Sequence, residues 1–333
     1  MSAPRDIDTP LGPVRGFHDD LISDHLERFG EWAPFETRLA AELLRDEADA
    51  LVLDAGAFVG TFGLELLHSG ACARVLAVEG NAETYGALAH NAHTLAPGTL
   101  TPVLGALGLP EGASLRQVVD PTNRGGARFS DEAVEEEGAS GVGGPVTSLI
   151  LSDLRSEHGA YALAKFDLEG CELRALKSEQ GFLHAARPAL LIEASDTPQT
   201  IQIGNYCRWL GYHLFYADLP VWRRDNPKDA DTPIFHLAHE GALVAASEET
   251  LARLEASEAA RELRAAGGRL VPAMRPEDLI DALWHTPRWS NAHWAALSRE
   301  ALIAELGKLG KWKSRAVYAA ALRPDTPFGP DET

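Results

Sequence analysis

One stretch constrains this 333-residue chain more than any other: Leu51-Val52-Leu53-Asp54-Ala55-Gly56-Ala57-Phe58-Val59-Gly60-Thr61, an apolar strand entering a glycine turn and then a helix. From Ala50 onward, apolar runs of strand length alternate with helical stretches. That rhythm predicts an α/β fold in which parallel strands are joined by crossover helices. Strands are expected from Leu51 to Leu53, Val75 to Val78, Leu100 to Leu104, Ala162 to Phe166 and Ala189 to Ile192.

Around this core, 41–245, the sequence marks three other regions. Residues 1–40 carry Pro4, Pro10, Pro13 and Pro34 about one amphipathic stretch, Leu21, Ile22, Leu26 and Phe29, and are expected to form an arm or lid. A glycine-rich acidic insertion at 109–145, with Glu135, Glu136 and Glu137, is expected to be a hairpin plus a loop. From 246 to 333 the composition turns to Ala, Leu, Glu and Arg, which predicts a helical carboxy-terminal extension. Such a tail suits a substrate lid or a homodimer contact.

The turn after the first strand carries the cofactor expectation. Gly56 and Gly60 would let backbone approach a ligand, and a helix starting near Phe58, with Ala57 and Thr61 beside it, would offer unpaired N–H groups. A dinucleotide fold would place G-x-G-x-x-G here, to seat a pyrophosphate on the helix terminus. Position 54 is aspartate instead, which repels phosphate and suits the ammonium and sulfonium of S-adenosylmethionine. At the end of the second strand, Glu79 can accept both ribose hydroxyls, and Gly80-Asn81 permits a tight turn beneath the adenosine. An NAD-linked oxidoreductase is the competing enzyme reading, and the missing first glycine counts against it.

Ala164-Lys165-Phe166-Asp167-Leu168-Glu169-Gly170-Cys171-Glu172-Leu173 places three acids around a glycine at the carboxyl edge of the sheet, where open α/β sheets bind ligands. Helix-dipole stabilisation accounts for Glu172 in part, and for Asp167 and Glu169 less well. With Asp54-x-Gly56-Ala57-x-x-Gly60 upstream, this Lys-x-Asp-x-Glu-Gly-x-Glu pattern resembles the FkbM family of methyltransferases. The resemblance runs from about Gly30 to Ala245. It takes in Gly30-Glu31-Trp32-Ala33-Pro34-Phe35-Glu36, Asn123-Arg124-Gly125-Gly126 and Val146-Thr147-Ser148-Leu149. Phe58 stands where the family usually has asparagine, Gly80 where proline is common, and Leu149-Ile150 where Leu-Asp is usual.

The resemblance implies a mostly parallel, seven-stranded, Rossmann-like class I methyltransferase sheet and O-methylation of a sugar or a secondary metabolite. Glu36, ahead of the core, and Ala106, after the third strand, join the candidate cofactor contacts, while Asn123, Arg124 and Glu169 are candidate acceptor contacts. Because the cofactor supplies the reactivity, the protein must align a hydroxyl and take its proton. Asp167, which also faces the cofactor, is the expected base. Glu193 at the end of the fifth strand is expected beside it, as a second carboxylate or as co-ligand of a divalent cation such as Mg²⁺. His236 and His239 rank behind them, and no His or Cys spacing suggests structural zinc. The alternative from another class is a scaffold that keeps the fold without the chemistry.

Charge and composition narrow the partners. With 49 acidic against 30 basic side chains the net charge is −19, which disfavours nucleic acid and leaves a small-molecule substrate. No apolar run reaches the ~20 residues of a membrane span, and the amino terminus lacks a basic-then-apolar leader, so a cytoplasmic location is expected. Cys72, Cys171 and Cys207 fall in no C-x-x-C pair and read as buried thiols.

Overall fold

A computed structural model describes residues 4–18, 20–47, 49–109, 116–120, 123–130, 146–194, 197–232 and 239–286. The chain opens with an antiparallel hairpin, β1 (Pro4–Thr9) and β2 (Gly12–Phe17), that the proline-rich sequence did not announce. Its two-residue turn is closed by Thr9 Oγ1, which donates to Gly12 O and accepts from Leu11 N. The inward residues Ile7, Val14 and Phe17 are buried. The expected amphipathic helix follows as α1 (Leu21–Phe29), capped by Asp20, whose carboxylate accepts from Ser23 N at 2.9 Å. Pro34 starts α2 (Pro34–Leu43), at the helical position where a missing N–H costs nothing.

The core then alternates as expected. β3 (Leu51–Ala55), α3 (Thr61–His68), β4 (Arg74–Glu79), α4 (Ala82–Leu95) and β5 (Leu100–Leu104) come first. The short strands β6 (Ala106–Leu107) and β9 (Ser148–Leu149) pair in parallel and bracket the insertion, in which β7 (Arg116–Asp120) and β8 (Asn123–Ser130) form the expected hairpin. There follow α5 (Leu151–His158), β10 (Leu163–Phe166), α6 (Glu172–Ser178), α7 (Gln180–Ala186), β11 (Ala189–Glu193), α8 (Thr197–Trp209), β12 (His213–Pro220), β13 (His239–Ala246), α9 (Glu248–Ala256), α10 (Glu258–Ala265), β14 (Arg269–Pro272) and α11 (Pro276–His285).

Eight strands make one sheet in the order β14-β12-β13-β11-β10-β3-β4-β5, of which β3, β4, β5, β10 and β11 run parallel. β13 is antiparallel to both β11 and β12. This is the Rossmann-like sheet expected, with one difference from the expected seven strands: β14 adds an antiparallel edge strand beside β12. β14 lies within the region expected to be helical throughout, so the sheet continues past residue 245. Arg269-Leu270-Val271-Pro272 is too short for its period to be read, and pairing with β12 makes it a strand.

Successive strand residues point to opposite faces. Val52, Val75, Leu163, Leu191 and Val244 join α2, α3, α4, α9, α10 and the amino-terminal hairpin in one core. Leu53, Leu76, Phe166, Ile192 and Leu243 join α5 to α8 and α11 in the other. The chain moves from β3 outward to β5, then returns to β10 on the other side of β3, so β3 and β10 flank the switch point where such sheets bind ligands. Among the described residues no helix is long and apolar enough to cross a membrane.

The described residues from Pro4 to Ala40 are built into this core. Buried Asn91 on α4 accepts from Arg15 N at 2.7 Å and donates to Arg15 O at 3.0 Å and to Val59 O at 2.9 Å. One amide thus extends the hairpin and fastens it to the turn after β3. Asn91→Ala strands a buried donor or acceptor at each contact, so it should lower the unfolding free energy by about 3 kcal/mol. A reduced urea midpoint at unchanged slope would register it.

Candidate active site

The glycines of the first turn are required by chain meeting chain. Gly56 has φ +89°, and a Cβ there would fall 1.8 Å from the Asp167 carbonyl oxygen. Asp167 N in turn donates to Ala55 O at 2.9 Å, so the turns after β3 and β10 are pressed together. Gly60, at φ +90°, precedes α3, which starts at Thr61 rather than near Phe58, and its absent Cβ leaves room for Leu88. Both glycines are thus required by close approach of protein to protein, apart from any ligand. Phe58 is left-handed at φ +50°, a conformation in which asparagine is at ease and phenylalanine is strained. Its ring packs on Phe17, with centroids 6.3 Å apart.

Glu79, at the end of β4, holds the neighbouring turn. Its carboxylate accepts from Phe58 N at 2.9 Å and Asn81 N at 2.7 Å, while Asn81 Oδ1 caps α4 by accepting from Glu83 N at 2.8 Å. Burial raises Glu79 to about 7, against the lowering effect of the Asn81 and Phe58 amides and the Thr84 hydroxyl.

A cavity of about 320 Å³ opens at the switch point. Of the candidates, Glu36, Asp54, Gly56, Ala57, Phe58, Thr61, Asp167, Glu169 and Glu193 line it. Gly60, Glu79, Gly80, Asn81 and Ala106 stand outside that lining, on the β4 and β5 side. Asn123 and Arg124 begin β8, where only the backbone is described, and His236 lies outside the described residues. His239 faces away from the cavity. It shares a face with Leu243 and Ala245, its Nδ1 2.5 Å from Asp218 Oδ1, and Arg269 pairs with the same aspartate.

The cavity also holds groups to which sequence reasoning gave no role. Lys165 Nζ donates to Asp167 Oδ2 at 2.9 Å, lies 4.0 Å from Glu36 Oε2, and sits 5.7 Å from the Phe62 ring centre. The motif quoted it, but only the β3–β10 register, which sets Lys165 beside Asp54, gives it a site. Glu240 arrives on antiparallel β13, on the face of Ala242 and Val244. Ile22, Trp32 and Phe62 supply apolar wall.

Six carboxyl groups thus line one cavity with one ammonium: Glu36, Asp54, Asp167, Glu169, Glu193 and Glu240 against Lys165. Burial alone would depress the Lys165 ammonium, but Asp167, Glu36 and Asp54 carry it well above its ordinary value. Burial raises Glu36 to about 7, partly offset by Lys165, and Asp54 to about 6. Burial and the charges of Glu36 and Asp167 raise Glu240 to about 8. Glu193 is held well above the carboxylate range by burial, by Asp167, Glu169 and Glu172, and by a hydrogen bond to Asp167. Glu172 itself closes the turn, accepting from Leu168 N and Gly170 N and from Gln199. Both Asp54 carboxylate oxygens are sealed from solvent without a hydrogen-bond partner among the described residues. An orphaned carboxylate in an acid-lined cavity fits a ligand that brings positive charge. Oxygens of Asp167, Glu169 and Glu193 also come within 4.8 Å of one another, a spacing that admits a divalent cation.

Glu36, Asp54 and Glu240 bind protons more tightly folded than unfolded. Their contribution to stability is complete below the unfolded carboxyl range and is lost as pH rises through about 6 to 8. Without ligand, the thermal midpoint should fall by about 5 °C or more between pH 5.5 and 8.5, and scanning calorimetry across that range checks it.

Residues 54–219 match the Methyltransferase FkbM domain family. Comparison with curated proteins gives no match. Among solved structures, the chain is similar to the methyltransferase FkbM of Methylobacillus flagellatus, at 16% identity and TM-score 0.35, over 60% of this chain and 44% of that one. It thus spans less than half the length of that relative. It is also similar to a precorrin-6y C5,15-methyltransferase of Geobacter metallireducens (13% identity, TM-score 0.38, 64% of this chain and 87% of that one). An rRNA methylase of Streptococcus thermophilus is a third (14%, TM-score 0.36, 64% and 95%). The family match falls on the strand–turn–helix of Asp54 and on the Lys165–Glu172 motif: through residues 54–219 the chain belongs to the FkbM family of S-adenosylmethionine-dependent methyltransferases.

Proposed function

We propose that the enzyme methylates a hydroxyl oxygen of a small molecule, a sugar or a secondary metabolite, with Asp167 as proton acceptor. The observation that carries this reading is the unpartnered Asp54 carboxylate sharing one enclosed cavity with Asp167. When bound, S-adenosylmethionine supplies an electrophilic methyl on a cationic sulfur. Asp54 offers its vacant acceptor sites to the positive groups of the cofactor. Glu79 uses about three of its roughly four acceptor sites on the Phe58 and Asn81 amides and the Thr84 hydroxyl, which leaves one for a ribose hydroxyl. Phe58, fixed by its amide bond to Glu79, forms cavity wall between the two carboxylates.

Lys165 pairs with Asp167 and fixes its orientation. Asp167 can take the hydroxyl proton, and Glu193 beside it carries its own proton into the site. Because Lys165 already occupies one Asp167 oxygen, a bare carboxylate base is favoured over a divalent cation held by Asp167, Glu169 and Glu193. A cavity of about 320 Å³ suits a small acceptor, and a net charge of −19 disfavours a polyphosphate chain.

Calorimetry tests the cofactor roles: Asp54→Asn and Glu79→Gln should each weaken S-adenosylmethionine binding at least about tenfold, the cost of a charged hydrogen bond. Unchanged affinity would remove these residues from the site. Methyl transfer from labelled cofactor to a panel of hydroxylated sugars and polyketides tests the chemistry. Asp167→Asn should slow turnover by ~10² to 10⁴ while cofactor affinity changes far less, and a chelator should leave the wild type unaffected. Activity lost to the chelator and restored by Mg²⁺ would give Asp167 to a metal instead. Normal turnover in the variant would transfer the base to Glu193.

A further inference from the structure

The carboxyl groups exceed what a cofactor's ammonium and one proton transfer require. They come from separate elements that the fold converges on one cavity: Glu36 from α2, Asp54 from β3, Asp167 and Glu169 from the turn after β10, Glu193 from β11 and Glu240 from β13. The single lining cation, Lys165, is engaged by Asp167 and Glu36. No ion pair joins Glu193 or Glu240 to a cation among the described residues. Asp54 is fully buried, and neither of its oxygens has a hydrogen-bond partner among the described residues. The remaining wall is apolar, at Ile22, Trp32 and Phe62, so little nearby screens the field of these acids.

We propose that this lining makes the cavity a reader of positive charge at the reacting sulfur, holding the sulfonium cofactor and letting go of its neutral thioether product. The proposal rests on the function proposed above and deepens it. In the transfer, the bond from sulfur to methyl breaks and its electron pair stays on sulfur, while a bond forms from the acceptor oxygen to the methyl carbon. The hydroxyl proton passes to Asp167. A sulfonium facing a carboxylate becomes a thioether facing a carboxylic acid, so the attraction at sulfur is gone while the ammonium keeps its own, and the product is held less tightly than the cofactor.

The same geometry ties binding to pH. The groups facing the cavity are Glu36, Asp54, Lys165, Asp167, Glu169, Glu193 and Glu240. Glu36 and Glu240 titrate at about 7 and about 8, so at pH 6 they are mostly neutral and the field weakens, while at pH 8.5 it is strongest. A ligand with a sulfonium therefore releases more protons on entering the cavity than the same ligand with a thioether.

Calorimetry with S-adenosylmethionine, S-adenosylhomocysteine and sinefungin, an analogue with an ammonium at the methyl-bearing position, tests this on the whole protein without any acceptor. At pH 8.5 both cationic ligands should bind at least about tenfold more tightly than S-adenosylhomocysteine, and at pH 6 the gap should narrow severalfold. Glu240→Gln should narrow the gap at pH 8.5 while leaving S-adenosylhomocysteine affinity as in the wild type, and that unchanged affinity also reports a folded variant. Glu36→Gln, at a group that is ionised at pH 8.5, provides a second variant should Glu240→Gln fail to fold. S-adenosylhomocysteine binding as tightly as S-adenosylmethionine at pH 8.5 would overturn the inference and leave the proposed function standing. A gap indifferent to pH and to both substitutions would overturn it too. Failure of all three ligands to bind would defeat the proposed function itself.

Discussion

The site depends on a buried ammonium. Lys165 is 8% exposed, and burying its charge is affordable only because Asp167, Glu36 and Asp54 surround it. The requirement is reciprocal. Glu36 and Asp54 would be more strongly driven to their neutral forms without the lysine, so its ammonium sets how much negative charge they retain. It also ties three parts of the chain together. α2 reaches the pair through Glu36, β3 through Asp54, and the turn after β10 through Asp167.

Sheet geometry explains why these groups can meet. Asp54, Lys165, Glu193 and Glu240 all project from the face whose core holds Val52, Leu163, Leu191 and Ala242. Nearer the middle of the strands that face is apolar. Polar residues replace apolar ones only toward the carboxyl ends of β3, β10 and β11, where the switch point between β3 and β10 leaves a crevice. Fold and chemistry are therefore written in one alternation, with the pleat deciding which side chains enter the cavity.

The alternation of strands and helices from Leu51 to Glu193 was legible because buried parallel strands are short unbroken apolar runs. Asp54, Glu79 and Asp167 were legible because they end such runs. The amino-terminal hairpin was not: Pro4 and Pro13 read as breakers, although prolines are tolerated in a two-stranded ribbon with open edges. Glu240 was invisible for a different reason, since β13 inserts between β11 and β12 and no local pattern reveals strand order. Lys165 stood in a quoted motif, but its significance lies in a register with Asp54 across more than a hundred residues. The glycines were legible as a turn, but the nearness of Gly56 to Asp167 and of Gly60 to Leu88 was not, because sequence does not show which other part of the chain a turn meets.

The two-residue pairing of β6 with β9 has an evolutionary reading. By setting Ala106 beside Ser148 and Leu107 beside Leu149, it fixes both ends of the insertion side by side. The entropy of closing such a loop grows only logarithmically, by about 0.6 kcal/mol for each doubling of its length. An insertion anchored in this way can be lengthened, shortened or exchanged at small thermodynamic cost to the sheet that carries Asp54 and Asp167.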